Sequence, residues 1–128
     1  MPRHVHAPEA PAAVGPYSHA VAASDLLFCS GQVPLDPATG TIVGETMGEQ
    51  ATRCLENLDA VCQAAGTRLR CGAVRLTIYT VDLGAFAEIN AACEAFFDSA
   101  RPPARATVQV VALPLGALVE IDAVVDLG

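Results

Sequence analysis

The chain has 128 residues, which is within the size of one ordinary domain, and its hydrophobic share of 52% is enough for a packed core. Seven basic against fourteen acidic residues give a formal net charge of −7, which argues against binding to a nucleic-acid backbone or an anionic membrane surface. The longest uncharged stretch, 106–119, falls short of the roughly 20 apolar residues that a membrane-spanning helix needs. We therefore expect one domain over residues 1–128 that binds neither nucleic acid nor membrane.

The N-terminal segment and the cysteines indicate the cellular compartment of the protein. Residues 1–17 hold two histidines, a glutamate and four prolines where a secretory signal needs a continuous apolar run, so we expect a cytoplasmic protein. The five cysteines form no CxxC pair and fall mostly at apolar positions, which predicts reduced, buried thiols rather than disulfides. Cys71 is the exception, because it lies in a predicted turn beside Gly72 and is expected to be exposed.

The first half of the chain predicts a hairpin and a helix. Two short apolar segments, 19–23 and 26–31, flank a two-residue link that is compatible with a β-hairpin. After a loop rich in Pro, Gly and Thr, Thr46 and Glu49 match a capping box. Apolar residues at helical spacing then predict an amphipathic helix over about 46–65. Its opposite face is expected to be solvated and comprises Glu49, Arg53, Glu56, Asn57 and Gln63.

The second half predicts a strand, a second helix and two closing strands. Residues 73–81 alternate as a strand, one side of which is formed by Val74, Leu76 and Ile78. The helix spans about 84–98, with an apolar stripe of Phe86, Ile89, Cys93, Phe96 and Phe97. The closing strands cover about 105–113 and 117–126 and are joined by a turn that contains Pro and Gly.

The element order β-β-α-β-α-β-β determines the expected architecture. Two βαβ crossovers between hairpins predict a mixed sheet with both helices on one face, which is a two-layer α+β sandwich. The strands are nevertheless apolar on both sides, since Leu27 and Cys29 oppose Leu26 and Phe28. No predicted helix covers the second face, and an exposed apolar sheet is unusual in a soluble monomer. We therefore expect an obligate homo-oligomer.

Two charged side chains fall where burial is expected. Arg105 opens a strand that is nearly free of charge, and its planar guanidinium suits a carboxylate ligand. The alternative is a structural ion pair with Glu120 or Asp122 on the next strand, and the residues alone leave both interpretations open. Glu120 lies between Val119 and Ile121, so its carboxylate points either at a partner subunit or at water.

Other polar positions are weaker candidates. Asn90 lies on the apolar stripe of the second helix, where its amide needs hydrogen-bond partners. Ser30 and Gly31 end the second predicted strand, where glycine allows close backbone approach and the hydroxyl can donate or accept. Tyr17 can line a pocket with its ring, although ordinary packing also explains Tyr17 and a hydrogen-bonded core amide also explains Asn90. The HxH motif at 4–6 lies in a segment expected to be mobile and lacks a third ligand, so no metal site is expected.

Six segments occur together in a characteristic order. They are APAAVGPYSHA at 10–20, SGQVP at 30–34, ENLDAV at 56–61, INAACEAFF at 89–97, PPARATV at 102–108 and VEIDAV at 119–124. As a set, from about Ala10 to the C-terminus, they closely resemble the Rid family, and specifically its RidA-like (YjgF-type) reactive-intermediate deaminases.

The resemblance implies a chorismate-mutase-like α+β fold and a homotrimer with active sites in the clefts between subunits. It implies hydrolysis of 2-aminoacrylate and related 2-enamines or 2-imines to 2-keto acids and ammonia, with no cofactor. By position, Arg105 would bind the substrate carboxylate and Glu120 would orient or activate the attacking water. The residues implied to line the cleft are Tyr17, Ser30, Gly31, Asn90 and Thr107.

The chain departs from the family pattern at three positions, which predicts an altered rate or substrate preference. Thr107 stands where Cys is usual, His19 where Gln is commoner, and Pro102 where an aromatic residue precedes Pro-Ala-Arg. Two alternatives remain, namely a non-enzymatic regulatory trimer that binds small carboxylates, and a Rid-type deaminase with another substrate such as aminomuconate. The ribonuclease activity attributed to some relatives is disfavoured by the acidic charge balance.

Overall fold

The computed structural model describes residues 1–128 and has six strands and three α-helices. The strands are β1 (Arg3–Val5), β2 (Ala20–Ala23), β3 (Leu26–Gln32), β4 (Ala73–Thr80), β5 (Ala104–Gln109) and β6 (Val119–Asp126). The helices are α1 (Met47–Ala64), α2 (Leu69–Gly72) and α3 (Phe86–Phe97). None of these helices combines the length and the apolar composition that crossing a bilayer requires.

All six strands form one mixed sheet in the order β1-β2-β3-β6-β4-β5. Strands β4 and β5 are parallel, and every other neighbouring pair is antiparallel. Because β3 and β4 both run antiparallel to β6, they share a direction, which confirms both βαβ crossovers and the α+β class. The two closing strands are not neighbours as a hairpin would require, since β4 lies between them.

The N-terminal residues form an additional strand that the sequence analysis did not predict. Strand β1 pairs with β2, with Arg3 opposite Ala22 and Val5 opposite Ala20. Val5 is buried there and joins the core. The expectation of a mobile terminus was therefore wrong, because an apolar side chain two residues into the strand reaches the core face.

One apolar core of 25 residues fills the space between the sheet and the helices. Helix α1 begins as predicted, since the Glu49 amide donates to Thr46 Oγ1 at 3.2 Å and the Thr46 amide donates to Glu49 Oε1 at 3.1 Å. Asn57 was wrongly expected to be solvated. It is buried, and its Nδ2 donates to the carbonyls of Val33 and Leu35, which fixes the loop after β3 onto α1.

Two residues, one from the predicted apolar stripe of α3 and one from the predicted apolar side of β4, are exposed. Phe86 is 42% exposed at the start of α3, where it faces Arg105 rather than the core. Val74 is 46% exposed, because the pairing of β4 with β6 shifts register between Ala73 and Arg75. The cysteines behave as predicted: all five are free thiols, and Cys71 alone is exposed.

The second face of the sheet carries no helix, as the strand pattern predicted. Phe28 and Val108, on β3 and β5, are 47% and 43% exposed on this face. Tyr79 and Glu120 are paired across β4 and β6 on the same side. We call this uncovered side the open face and the opposite side the helical face.

Candidate active site

Arg105 lies on the helical face, at the free edge of the sheet. Its Cα partner on β4 is Leu76, which is fully buried under the helices. Its Nη2 donates to Asn90 Oδ1 at 2.6 Å, and the guanidinium carbon lies 5.3 Å from the centroid of the Phe86 ring. The first turns of α3 therefore hold the guanidinium from two sides, by a hydrogen bond and a cation–π contact. It forms no structural ion pair with Glu120 or with Asp122.

A cavity of about 390 Å³ opens beside this guanidinium. Asn90 and Cys93 line it from α3, and Pro102 and Pro103 line it from the segment that leads into β5. Burial raises the pKa of the Cys93 thiol, while the charge of Arg105 and its hydrogen bond partly oppose that rise in pKa. Arg105 is thus the group in this cavity that is suited to an anionic ligand.

Glu120 lies on the open face, in a separate cavity of about 380 Å³. Its carboxylate rests against the backbone of Gly31 on the neighbouring strand β3. Ser30 lines the same cavity, and its hydroxyl donates to the Ser18 carbonyl at 2.6 Å. Tyr17 adds an aromatic wall. The remaining wall is apolar and consists of Val14, Val33, Pro114 and Leu115.

The electrostatic surroundings of Glu120 favour retention of its proton. Burial, followed by the nearby negative charge of Asp122, raises the pKa of Glu120 above its ordinary value. The salt bridges of the chain are Arg53–Glu56 and Arg68–Asp59, so no cation of the same chain pairs with this carboxyl group. A raised pKa makes the Glu120 carboxylate a stronger base than an exposed carboxylate.

The residues implied by the family resemblance therefore form two clusters in one chain. Arg105 and Asn90 belong to the cavity on the helical face, and Tyr17, Ser30, Gly31 and Glu120 belong to the cavity on the open face. The two cavities share no lining residue. Thr107 lines neither of them: it pairs with Ile78 on the helical face, and its hydroxyl is buried without a hydrogen-bond partner.

His19, one of the departures from the family pattern, acts as a structural residue. Its ring is buried, and Nδ1 accepts the amide hydrogen of Ala7 at 3.0 Å. Because Nδ1 accepts, Nε2 carries the proton and donates to the Pro11 carbonyl at 2.8 Å. These bonds anchor the segment that leads to Tyr17, which forms one wall of the Glu120 cavity.

Two residues that contribute to these clusters were not predicted from the sequence. Phe86 supports the Arg105 guanidinium, and its spacing of four residues from Asn90 on one helix face was a usable signal. Tyr79 donates its hydroxyl hydrogen to Asp122 Oδ2 at 3.0 Å beside Glu120. That contact depends on the register between β4 and β6, which no local pattern reveals. No three His, Cys, Asp or Glu side chains lie close enough together to hold a metal ion.

Comparison with known proteins identifies the family. The family model described as Endoribonuclease L-PSP, which is the YjgF/RidA family, matches residues 7–127. The chain belongs to the Rid family. The resemblance carried by the six sequence segments is thereby confirmed.

Rid-family relatives match the chain along nearly all of its length. RutC family protein y4sK of Sinorhizobium fredii is 53% identical over 119 residues, covering 93% of each protein. The 2-iminobutanoate/2-iminopropanoate deaminase of Salmonella typhimurium is 40% identical over 126 residues, covering 97% of each. Among solved structures, the Rid protein YyfA of Yersinia pestis superposes with a TM-score of 0.93 at 36% identity, covering 98% of this chain and 99% of that one. The fold is therefore that of the Rid family.

Proposed function

We propose that the protein hydrolyses small 2-enamine and 2-imine acids of the 2-aminoacrylate type to 2-keto acids and ammonia. We further propose that it works in the cytoplasm, as a homotrimer whose active sites each combine Arg105 of one subunit with Glu120 of another. One observation carries this proposal: Arg105 and Glu120 lie on opposite faces of the sheet, each in a cavity that offers only half of the required chemistry. The deaminase among the relatives supports the reaction class.

The uncovered sheet face supports the assembly. Phe28 and Val108 present apolar surface on the side that holds the Glu120 cavity, so a subunit packed there removes that surface from water. A second chain that brings its own sheet edge to this cavity adds the cation that the cavity lacks. A closed ring repeats the contact identically, so each subunit gives one arginine and one glutamate.

Arg105 accounts for substrate binding in this scheme. Its guanidinium offers two parallel N–H donors to a carboxylate, and Asn90 and Phe86 already hold the planar group in place. A substrate carboxylate fixed in this way leaves its adjacent C2 atom at a defined position. Orientation of this kind can supply a large part of the rate enhancement without a strong nucleophile.

Glu120 accounts for proton transfer. Its carboxylate removes a proton from water while the water oxygen bonds to C2, and the C=N π electrons move to nitrogen. Glu120 returns this proton to nitrogen, which completes the carbinolamine. Glu120 then takes the proton of the carbinolamine hydroxyl and passes it to nitrogen as the C=O bond forms and the C–N bond breaks, which yields the keto acid, ammonia and the original carboxylate. All seven basic residues of the chain are arginines, so no lysine is available to form a Schiff base with the keto product.

A coupled assay tests the proposed reaction. A dehydratase generates 2-aminoacrylate from serine, and the release of pyruvate is followed with and without the protein. The native protein should accelerate this release, and Arg105→Ala and Glu120→Gln should abolish the acceleration. Arg53→Ala and Glu56→Gln serve as matched controls, because they make similar changes on the outer surface of α1. Full activity in both active-site variants, or none in the folded native protein, contradicts the proposal.

Mixing subunits tests the shared site independently. When Arg105→Ala and Glu120→Gln chains are unfolded together and refolded at equal amounts, about a quarter of shared sites regain one intact arginine and one intact glutamate. Activity should therefore return in the mixture although each variant alone is inactive. A mixture of refolded trimers without activity would show that both residues act within one chain.

A further inference from the structure

Two side chains beside Glu120 form a hydrogen-bonded pair that the proposed reaction does not yet use. The Tyr79 hydroxyl donates to Asp122 Oδ2 at 3.0 Å, on the open face. Asp122 is two residues after Glu120 on β6, so the two carboxyl groups leave the strand on the same side. Tyr79 is the Cα partner of Glu120 on β4. The side chains of Tyr79, Glu120 and Asp122 are therefore neighbours on the open face of the sheet.

The hydrogen bond fixes where the charge of Asp122 lies. Without Tyr79, a strand-surface aspartate can rotate its carboxylate towards water, where the effect of its charge on a neighbour is weak. The Tyr79 hydroxyl holds one oxygen over β4, beside the strand position that Glu120 faces. This fixed position matters because the Coulomb energy between two carboxylates depends on their separation and on the solvent between them.

The groups that face Glu120 can be named element by element. Asp122 lies beside Glu120 on the same strand, β6, and Tyr79 lies beside Glu120 on the neighbouring strand, β4. Tyr17 lies across the cavity, and the buried Cys54 thiol of α1 lies beneath the strand. In the proposed assembly the remaining group is Arg105 of a second subunit, whose charge is neutralised by the substrate carboxylate. Asp122 is thus the one negative group of the chain that acts on Glu120.

We propose that Asp122, held in place by Tyr79, is a positioning residue that keeps a proton available on Glu120 for release to the departing nitrogen. This inference rests on the proposed function, in which the same carboxyl group first accepts a proton from water and then returns it. A carboxyl group in water is almost fully ionised at neutral pH and is a poor proton donor. Burial together with the fixed charge of Asp122 favours the protonated form of Glu120.

Titration of Glu120 tests the inference without reference to activity. In protein labelled with ¹³C at the glutamate carboxyl groups, the Glu120 signal is assigned by its loss in Glu120→Gln. Its titration midpoint should lie above the ordinary glutamate pKa of 4.5. Asp122→Asn, which removes the charge and can still accept the Tyr79 hydrogen bond, should move the Glu120 midpoint to lower pH. An unchanged midpoint in Asp122→Asn overturns the inference.

The pH dependence of kcat/KM provides the second test. The acidic limb, where protonation removes the Glu120 carboxylate that accepts the proton of water, should move to lower pH in Asp122→Asn and return towards the native position in Asp122→Glu. Tyr79→Phe should move it in the same direction but less far, because the charge remains while its position is no longer fixed. A limb that stays in place although Asp122→Asn lowers activity would assign Asp122 a merely structural role. If the native protein hydrolyses no imine at all, the proposed function fails, whereas the titration still decides the inference.

Discussion

The Glu120 carboxylate packs directly against the backbone of Gly31, on the neighbouring strand. A Cβ atom added at Gly31 would lie 3.0 Å from Glu120 Cδ and 3.2 Å from Cγ, with the carboxylate oxygen closer still. The pairing of β3 with β6 is irregular here, since the register shifts between Cys29 and Gln32. A bulge of this kind commonly re-aims side chains at functional sites, and here it brings Ser30 and Gly31 to the wall of the Glu120 cavity.

Gly31→Ala should displace the carboxylate and lower kcat/KM by about 100-fold, because a shift of about 1 Å in a reacting group can cost that much. The loss should fall mainly on kcat, since the proposed ligand of the substrate carboxylate, Arg105, is unchanged. Gly48→Ala is the matched control, as a Cβ atom there meets its nearest neighbour at an ordinary 3.7 Å. Native kinetics in Gly31→Ala would show that Glu120 does not need its present position.

Asn90→Ala should raise KM by about two- to tenfold, the effect of losing one net hydrogen bond to the Arg105 guanidinium. The value of kcat should change little, because Asn90 contacts the guanidinium that is proposed to bind the substrate and has no proposed contact with the reacting bond. Steady-state kinetics on the same substrate measure both constants. A fall in kcat at unchanged KM would instead place Asn90 at the reacting atoms.

Local spacing predicted those features that depend on a few neighbouring residues. Thr46 and Glu49 lie three apart, so the capping box could be recognised before the structure was known. Asn57 was misplaced because its partners are loop carbonyls more than 20 residues away. Local sequence patterns also could not predict that Arg105 and Glu120 lie on opposite faces of the sheet. That arrangement depends on the strand order, in which β4 lies between β5 and β6.

Asp59 links α1 to α2 through a hydrogen-bond network that should stabilise the fold. Its carboxylate accepts bonds from Arg68 Nε and Nη2 and from the Leu69 amide. Burial alone would raise the pKa of Asp59, but these hydrogen bonds and the charge of Arg68 outweigh burial and hold the pKa below its ordinary value of 3.8.

Asp59→Asn should therefore lower the free energy of unfolding at neutral pH by about 2 kcal/mol, which is typical of hydrogen bonds to a charged group. Because the folded-state pKa is lowered, this stabilisation is present above pH 3.8 and is lost as the pH falls through the folded pKa. Urea unfolding at neutral pH and in acid measures the difference. If the difference in free energy of unfolding between the native protein and Asp59→Asn stays constant down to acidic pH, the Asp59 charge does not provide this stabilisation.

Glu120 should affect stability with the opposite sign. Its folded-state pKa is raised, so the folded protein binds this proton more tightly than the unfolded chain does. Stability should then fall as the pH rises from the ordinary value of 4.5 through the raised pKa, since the folded state must give up the proton. Glu120→Gln removes this loss, and its advantage over the native protein in urea unfolding should grow over that pH interval and then level off. If the stability advantage of Glu120→Gln instead shrinks with rising pH, the folded-state pKa of Glu120 is lowered and not raised.

Phe28 should determine whether the open face is an interface. Its ring is 47% exposed and lies near the middle of that face, opposite Val21 on β2 and Val124 on β6. Burying a phenylalanine contributes about 2 kcal/mol, and a carboxylate in its place would face apolar surface. Phe28→Glu should therefore give folded monomers.

Light scattering during size-exclusion chromatography measures this change, and circular dichroism checks that the fold is kept. Because each proposed site needs two subunits, monomers of Phe28→Glu should also lack activity although Arg105 and Glu120 are intact. Ala64→Glu is the control, since it adds the same charge on the exposed outer side of α1. If Phe28→Glu keeps the native mass and activity, the open face is not the surface through which subunits complete the site.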